Sequence, residues 1–295
     1  MRTFSGAWPA LVTPFTGDDR VNVSALRDLT QYLLDKGVNG FYVCGSTGEG
    51  LYMSLDERKL VTETVLAQVQ GQVPVIVQVG CVALRDAIEL AQHAGHSGAD
   101  GISSMLPPLY RSSRALYAYF ERLAASVPDL PVLPYLFGGP TDAMILMREL
   151  MRIPNVAGTK YTSANMHEFS RIAGLRADGW TAFSGMDEQC LFAAMSGSSG
   201  NIGSTLNVRP GAYLKIHECY RCDDLAQAMA FQNQANKITS ALLSFSFPGA
   251  LREALRMLGF NCGQPRLPDL CLTETEREAL HSRMQEAGLA RMAAL

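Results

Sequence analysis

The stretch GFYVCGSTGEGLYMSLDERKLVTETVLAQVQGQVPVIVQVG, residues 40–80, holds one full repeat of the fold. GFYVCG (40–45) is a short apolar run closed by glycine, as expected of a strand covered on both faces. SLDERKLVTETVLAQVQG (54–71) reads as a helix. Its Ser54 and Glu57 stand at capping-box spacing, so that the serine side chain and the glutamate satisfy free backbone donors. VPVIVQVG (73–80) is the next strand. Strand, helix, strand with mostly apolar strands implies parallel pairing, because helices then cover both faces of the sheet.

The alternation extends in both directions. Strand runs recur at WPALVTP (8–14), DGISSML (100–106), LPVLPYL (130–136), NVAGTK (155–160), WTAFSG (180–185) and GNIGS (200–204), each bounded by Gly, Pro or Asn. Helical spacing lies between them, beginning with Leu26, Leu29 and Leu33. Eight units at such regular intervals predict an α/β fold, a TIM (β/α)8 barrel, rather than an open doubly wound sheet. From about residue 211 only helical segments follow, the last with Thr273 and Glu276 at capping-box spacing. The expected organisation is a barrel catalytic domain over 1–222 and a C-terminal helical extension over 223–295 packed on it.

Composition excludes several classes of function. A net charge of −3 offers no basic excess for nucleic acid or anionic membrane, and 47% hydrophobic residues supply ample core. No apolar stretch approaches the roughly 18 residues of a membrane span, and MRTFSGAWPA lacks the apolar segment of a signal peptide, so a cytoplasmic protein is expected. The seven cysteines form no framework. Cys219 and Cys222 lie one turn apart in a helical run beside His217, and His93 and His96 lack a third ligand, so no metal site is expected.

In a barrel of this type the active site lies where strands end and the following loops begin. That rule gathers Ser46 and Thr47, Tyr135, Lys160 with Thr162, Gly185 with Asp187 and Glu188, and Ser204 around one mouth. GSTGEG (45–50) offers hydroxyls and backbone N–H groups suited to a carboxylate or phosphate, but it lacks the P-loop lysine. Lys160 has two readings, an ammonium reaching solvent or a carboxylate, and a nucleophilic amine. The second requires a neutral amine, which from an ordinary lysine costs about 4.6 kcal/mol at neutral pH unless burial removes part of the cost. Tyr135 is a core aromatic or a proton shuttle. Asp187 and Glu188 are helix-start acids or partners for substrate hydroxyls.

YVCGSTGEGLYMSLDER, VQVGCVALRDAIELAQHAGHSGADGI, NVAGTKYTS and FSGMDEQCLFAAMSGSSGNIGST, in this order, resemble the dihydrodipicolinate synthase and N-acetylneuraminate lyase family of Schiff-base aldolases. The resemblance implies that Lys160 forms an imine with pyruvate or a 2-keto acid and that Tyr135 shuttles the proton. It implies a carboxylate cradle at Ser46 and Thr47, with Thr162, Gly185, Asp187, Glu188 and Ser204 as further substrate contacts. The lyase branch is the closer match, through Gly-Ser-Thr, Thr162 and the Asp187–Glu188 pair; YLFGGPTDA lacks the arginine expected of a synthase. Cleavage of N-acetylneuraminate to pyruvate and N-acetylmannosamine is therefore expected, without cofactor, in a homotetramer. Alternatives are another 2-keto-3-deoxy sugar acid handled by the same imine, or a non-catalytic keto-acid-binding barrel. The chain departs from the family at Leu136, Phe137 and Gly138, where Asn-x-Pro is usual, and at Leu109, where the first of two aromatics is replaced and Tyr110 remains.

Overall fold

The computed structural model describes residues 4–109, 112–137, 142–175 and 179–295. Its strands are β1 (Gly6–Pro9), β2 (Phe41–Val43), β3 (Val75–Gln78), β4 (Gly101–Met105), β5 (Val132–Phe137), β6 (Gly158–Thr162), β7 (Thr181–Ser184) and β8 (Gly200–Gly203). All pair in parallel, each with its sequence neighbour from β2 to β8, and β8 pairs with β1. A bridge between Ala10 and Tyr42, with the Leu11 amide donating to the Tyr42 carbonyl at 2.9 Å, brings β1 against β2 and closes the ring. The fold is a TIM barrel with a helical extension.

Helices α1 (Val23–Asp35), α2 (Leu55–Val69), α3 (Leu84–His96), α4 (Ser113–Ala125), α5 (Ala143–Leu150), α6 (Met166–Ala173), α7 (Cys190–Met195) and α8 (Pro210–Arg221) follow the strands in turn. After them come α9 (Leu225–Leu243), α10 (Phe247–Met257), α11 (Glu274–Glu286) and α12 (Leu289–Ala293). Both predicted capping boxes form, Ser54 with Glu57 and Thr273 with Glu276. The final helical segment is broken in two, because Gly288 takes a left-handed conformation at φ 75° and ends the first run. Two strands are shifted from expectation. β1 begins before Trp8, and β6 continues to Thr162, so Lys160 stands inside its strand rather than at its end.

Two cores result. Inside the barrel, Phe4, Trp8, Tyr42, Ile76, Leu133 and Phe183 interdigitate, with Trp8 edge-on to Phe4 at 5.5 Å and tilted against Phe183 at 5.2 Å. The larger core lies between the strands and the helices. Because side chains alternate along a strand, Tyr135 and Lys160, partners in the β5–β6 register, enter the upper layer of the barrel, whereas Leu136 turns outward into the larger core. No helix among the described residues is long and apolar enough to cross a membrane.

Candidate active site

Lys160 is only 5% exposed, yet no described carboxylate bonds its amine. Its Nζ lies 4.3 Å from the ring centre of Tyr135 and 4.4 Å from that of Tyr42. The two aromatic faces give the amine a soft electrostatic seat without a fixed counter-ion in contact. Burial pushes its pKa below the ordinary lysine range, while the Tyr135 hydroxyl and the Asp187 charge pull in the opposite direction. Burial thereby favours the neutral amine, the form that nucleophilic attack requires. Tyr42 is itself fixed, its hydroxyl donating to Ser103 Oγ at 3.1 Å and that hydroxyl to the Leu133 carbonyl at 2.7 Å.

Above the amine opens a cavity of about 350 Å³, large enough for a sugar acid. Ser46, Thr47, Tyr135, Lys160 and Thr162 border it, together with Gly185 and Ser204. Thr47 Oγ1 and Ser204 Oγ are 2.6 Å apart, joining the loop after β2 to the end of β8. The buried Thr162 Oγ1 has no hydrogen-bond partner in the protein. Gly185 is required beside it: a Cβ there would stand 1.8 Å from Thr162 Oγ1 and 3.3 Å from Lys160 Cε.

Asp187 and Glu188 do not border this cavity. They begin a short 3-10 turn after β7. Asp187 Oδ2 accepts from the Thr205 amide at 2.8 Å and the Thr205 hydroxyl at 2.7 Å, and Oδ1 accepts from Asn201 at 3.4 Å. Burial raises the Asp187 pKa, and the Thr205 bonds, the Arg209 charge and Asn201 oppose that rise. Glu188 is half-buried, and burial followed by the adjacent Asp187 charge raises its pKa against the pull of its own backbone amide. No described side chain donates to the Glu188 carboxylate.

Several cavity residues escaped the sequence reading. Phe247, Pro248, Leu251 and Arg252 come from α10, so the extension forms part of the wall. Arg252 reaches across to Glu49 in the loop after β2 and also donates to the carbonyls of Thr13, at 2.9 Å, and Cys262. Glu49 takes a left-handed backbone at φ 56° and accepts the Arg266 amide at 2.7 Å through its other oxygen. Nothing marked Arg252, one of three charged residues in FPGALREALRM, and Tyr42 gave no signal either, being one apolar letter in an apolar strand. Phe137, 64% exposed, stands on the cavity rim where the family departure was noted, whereas Gly138 and Tyr110 lie outside the described residues.

Residues 3–287 match the Dihydrodipicolinate synthetase family. The chain is 32% identical over 277 residues to the N-acetylneuraminate lyase of Rhizobium meliloti, covering 93% of this chain and 92% of that one. It is equally, 32%, identical over 290 residues to the 4-hydroxy-tetrahydrodipicolinate synthase of Syntrophus aciditrophicus, covering 97% and 99%. Among solved structures, the N-acetylneuraminate lyase of Proteus mirabilis superposes with a TM-score of 0.92 at 28% identity, covering 98% of this chain and all of that one. With the barrel and the sequence match in agreement, the chain belongs to the dihydrodipicolinate synthetase family and is a Schiff-base aldolase.

Proposed function

We propose that this protein is a lyase that cleaves N-acetylneuraminate to pyruvate and N-acetylmannosamine through an imine on Lys160. The observation that carries the reading is the Lys160 amine, buried between two tyrosine rings beneath an open cavity. In this reading the substrate carboxylate sits on Ser46, Thr47 and Ser204, which holds the keto carbon over the amine. Lys160 Nζ adds to that carbon and water leaves, giving an iminium. The C4 hydroxyl loses its proton through the Tyr135 hydroxyl as the C3–C4 bond breaks, and the bonding electrons pass into the iminium to form an enamine. The proton taken from the C4 hydroxyl is returned through Tyr135 to C3, and hydrolysis of the resulting iminium releases pyruvate and restores the lysine.

The Thr162 hydroxyl, lacking a protein partner, supports contact with the substrate in the cavity, and close approach at Gly185 leaves room for it. Glu188, outside the cavity wall, is the proposed contact for the far end of the polyol. Support for this sugar acid comes from the solved structures named N-acetylneuraminate lyase or sialic acid aldolase, such as that of Proteus mirabilis. A second reading, another 2-keto-3-deoxy sugar acid, draws support from Phe137, an apolar side chain on the rim. We further infer a cytoplasmic homotetramer.

The test is incubation with pyruvate and borohydride, which reduces an imine to a stable secondary amine, followed by peptide mapping. Labelling at Lys160, absent from Lys160→Ala, is the expected result. Pyruvate binding without labelling would place the chain among non-catalytic binding barrels. Release of pyruvate from N-acetylneuraminate, measured beside 2-keto-3-deoxy sugar acids lacking the N-acetyl group, separates the two substrate readings, and sedimentation gives the subunit number.

A further inference from the structure

The wall of the active-site cavity is not uniform. Its floor carries the buried Lys160 amine, with the hydroxyls of Ser46, Thr47 and Ser204 close by, whereas the part supplied by the loop after β2 and by the extension is largely apolar. Leu51 and Tyr52 in that part are exposed, which makes it the outer wall. Among the described residues two carboxylates border the cavity, Glu49 and Asp269. Glu49 is occupied, one oxygen accepting from Arg252 and the other from the Arg266 amide at 2.7 Å. Asp269, partly exposed on the segment between α10 and α11, differs: among the described residues nothing donates to its carboxylate and no cation pairs with it.

The free end has a structural cause. Arg266, the cation nearest in sequence, is committed elsewhere: Nε donates to Asp19 at 2.8 Å, Nη1 to the Tyr52 carbonyl and to Glu57, both at 3.0 Å, and Nη2 to the Asp19 carbonyl at 2.6 Å. The Asp269 amide donates to the Arg266 carbonyl at 3.0 Å, so the anchored arginine also anchors the backbone at Asp269. On the other side, Ser246 donates to the Leu270 carbonyl at 3.0 Å, and Gly249 lets α10 approach so closely that a Cβ there would stand 2.6 Å from the same oxygen. The backbone is thus held before and after Asp269, while its carboxylate is left open. Its charge is felt by Tyr52 on the same wall, whose pKa rises through burial first and then through Asp269 and Glu49.

We propose that Asp269 determines specificity for the aldehyde half of the reaction, accepting hydroxyl protons from the far end of the substrate and turning away aldehydes that end in a second carboxylate. The proposal rests on Lys160 as the imine-forming residue and on a keto-acid carboxylate held by Ser46, Thr47 and Ser204. With that end fixed at the floor, the rest of the substrate runs outward along the wall. A second anion there would meet Asp269 with no cation to balance it. Lys160 is taken up by the imine, and Arg252 is matched by Glu49 and bound to the carbonyls of Thr13 and Cys262. Glu188, beyond the wall, adds to the same negative character. A hydroxyl meets the opposite situation, because an unoccupied carboxylate is a strong acceptor and bonds to it are charge-assisted. The apolar side chains beside Asp269 weaken screening by water, which sharpens both effects.

Condensation with pyruvate tests this. The pyruvate enamine adds through C3 to the aldehyde carbon, the aldehyde oxygen takes a proton, and water frees the product from Lys160. Erythrose and succinic semialdehyde are four-carbon aldehydes, one ending in hydroxyls and the other in a carboxylate, and N-acetylmannosamine is measured beside them. The wild type is expected to favour the two hydroxylated aldehydes over succinic semialdehyde by at least about tenfold in kcat/KM. Asp269→Asn, which keeps the shape and removes the charge, is expected to raise KM for the hydroxylated aldehydes about tenfold and to raise kcat/KM for succinic semialdehyde about tenfold. Asp269→Glu should keep the wild-type order. Borohydride trapping with pyruvate alone, which involves no aldehyde, reports that each variant is folded and forms the imine. An unmoved preference in Asp269→Asn would overturn the proposal, and so would an equal loss with all three aldehydes, the mark of a merely structural residue. A wild type that prefers succinic semialdehyde would overturn it as well. Turnover of erythrose without N-acetylmannosamine would remove the sialic acid reading, and the preference of erythrose over succinic semialdehyde, with its shift in Asp269→Asn, would then decide the role of Asp269. Absence of labelling in the wild type would instead remove the Lys160 reading, and this proposal with it.

Discussion

Lys160 was legible because a lysine in an apolar strand is anomalous, and the anomaly has a physical use: burial shifts the amine toward its neutral form. Tyr42 was illegible, since a strand tyrosine within an apolar run carries no sign of what its ring faces. Its contribution is open to measurement. Tyr42→Phe keeps the ring under the amine and is expected to leave the borohydride trapping rate within about threefold of wild type, whereas Tyr42→Leu removes a desolvated cation–π contact and should slow trapping about tenfold. Gly185 shows the same limit of sequence reading, for only the structure reveals how little room it leaves. Gly185→Ala is expected to displace Thr162 and crowd Lys160, lowering kcat/KM about 10²-fold while the melting temperature stays within a few degrees. Steady-state kinetics beside a thermal melt checks both halves of that statement.

At the scale of elements, helices with local signals were readable and long-range junctions were not. The capping boxes at Ser54 and Thr273 are local chemistry, satisfied by residues three positions on, and they form as the spacing implies. Strand ends were less sharp, because β6 is defined by its partners on β5 and β7 rather than by its own letters. The junction of α10 with the loop after β2 had no signal at all, as it joins Glu49 to Arg252 across most of the chain. Both side chains are buried, Glu49 with an exposure of 1% and Arg252 of 4%, so removing the cation strands a carboxylate in a site of low dielectric. Arg252→Met is accordingly expected to lower stability by about 3 kcal/mol or more, seen as a reduced urea midpoint. Arg252→Lys should recover only part of the loss, since one ammonium cannot replace a fork that also holds the carbonyls of Thr13 and Cys262.

For the molecule as a whole, the barrel could be read from the regular recurrence of strand and helix, and even the short glycine-rich GNIGS proved to be the eighth strand that meets β1. The order of strands follows from chain order, so topology was easy once the count was right; the wall contributed by the extension depends on tertiary packing and was not. Packing of α8 against the barrel also sets a pH dependence. His217 donates through Nε2 to Asn201 Oδ1 at 2.9 Å, and burial lowers its pKa to about 4 from the usual 6.5. Between those values the unfolded chain binds a proton that the folded protein refuses, so stability is full above about 6.5 and falls as pH drops toward 4. At pH 5 the loss from this group is at most about 2 kcal/mol, lessened by the ring's partial exposure, and His217→Gln should flatten the fall in urea midpoint between pH 7 and pH 5. The α10 wall carries a consequence for descent. Lys160 sits on a barrel strand and Ser46 and Thr47 on the loop after β2, whereas Phe247, Pro248 and Leu251 sit on a helix of the extension joined to that loop by the Arg252–Glu49 ion pair. Mutation can therefore redraw the pocket outline while the bond-breaking apparatus is inherited unchanged, and a lineage can change its diet without relearning its chemistry.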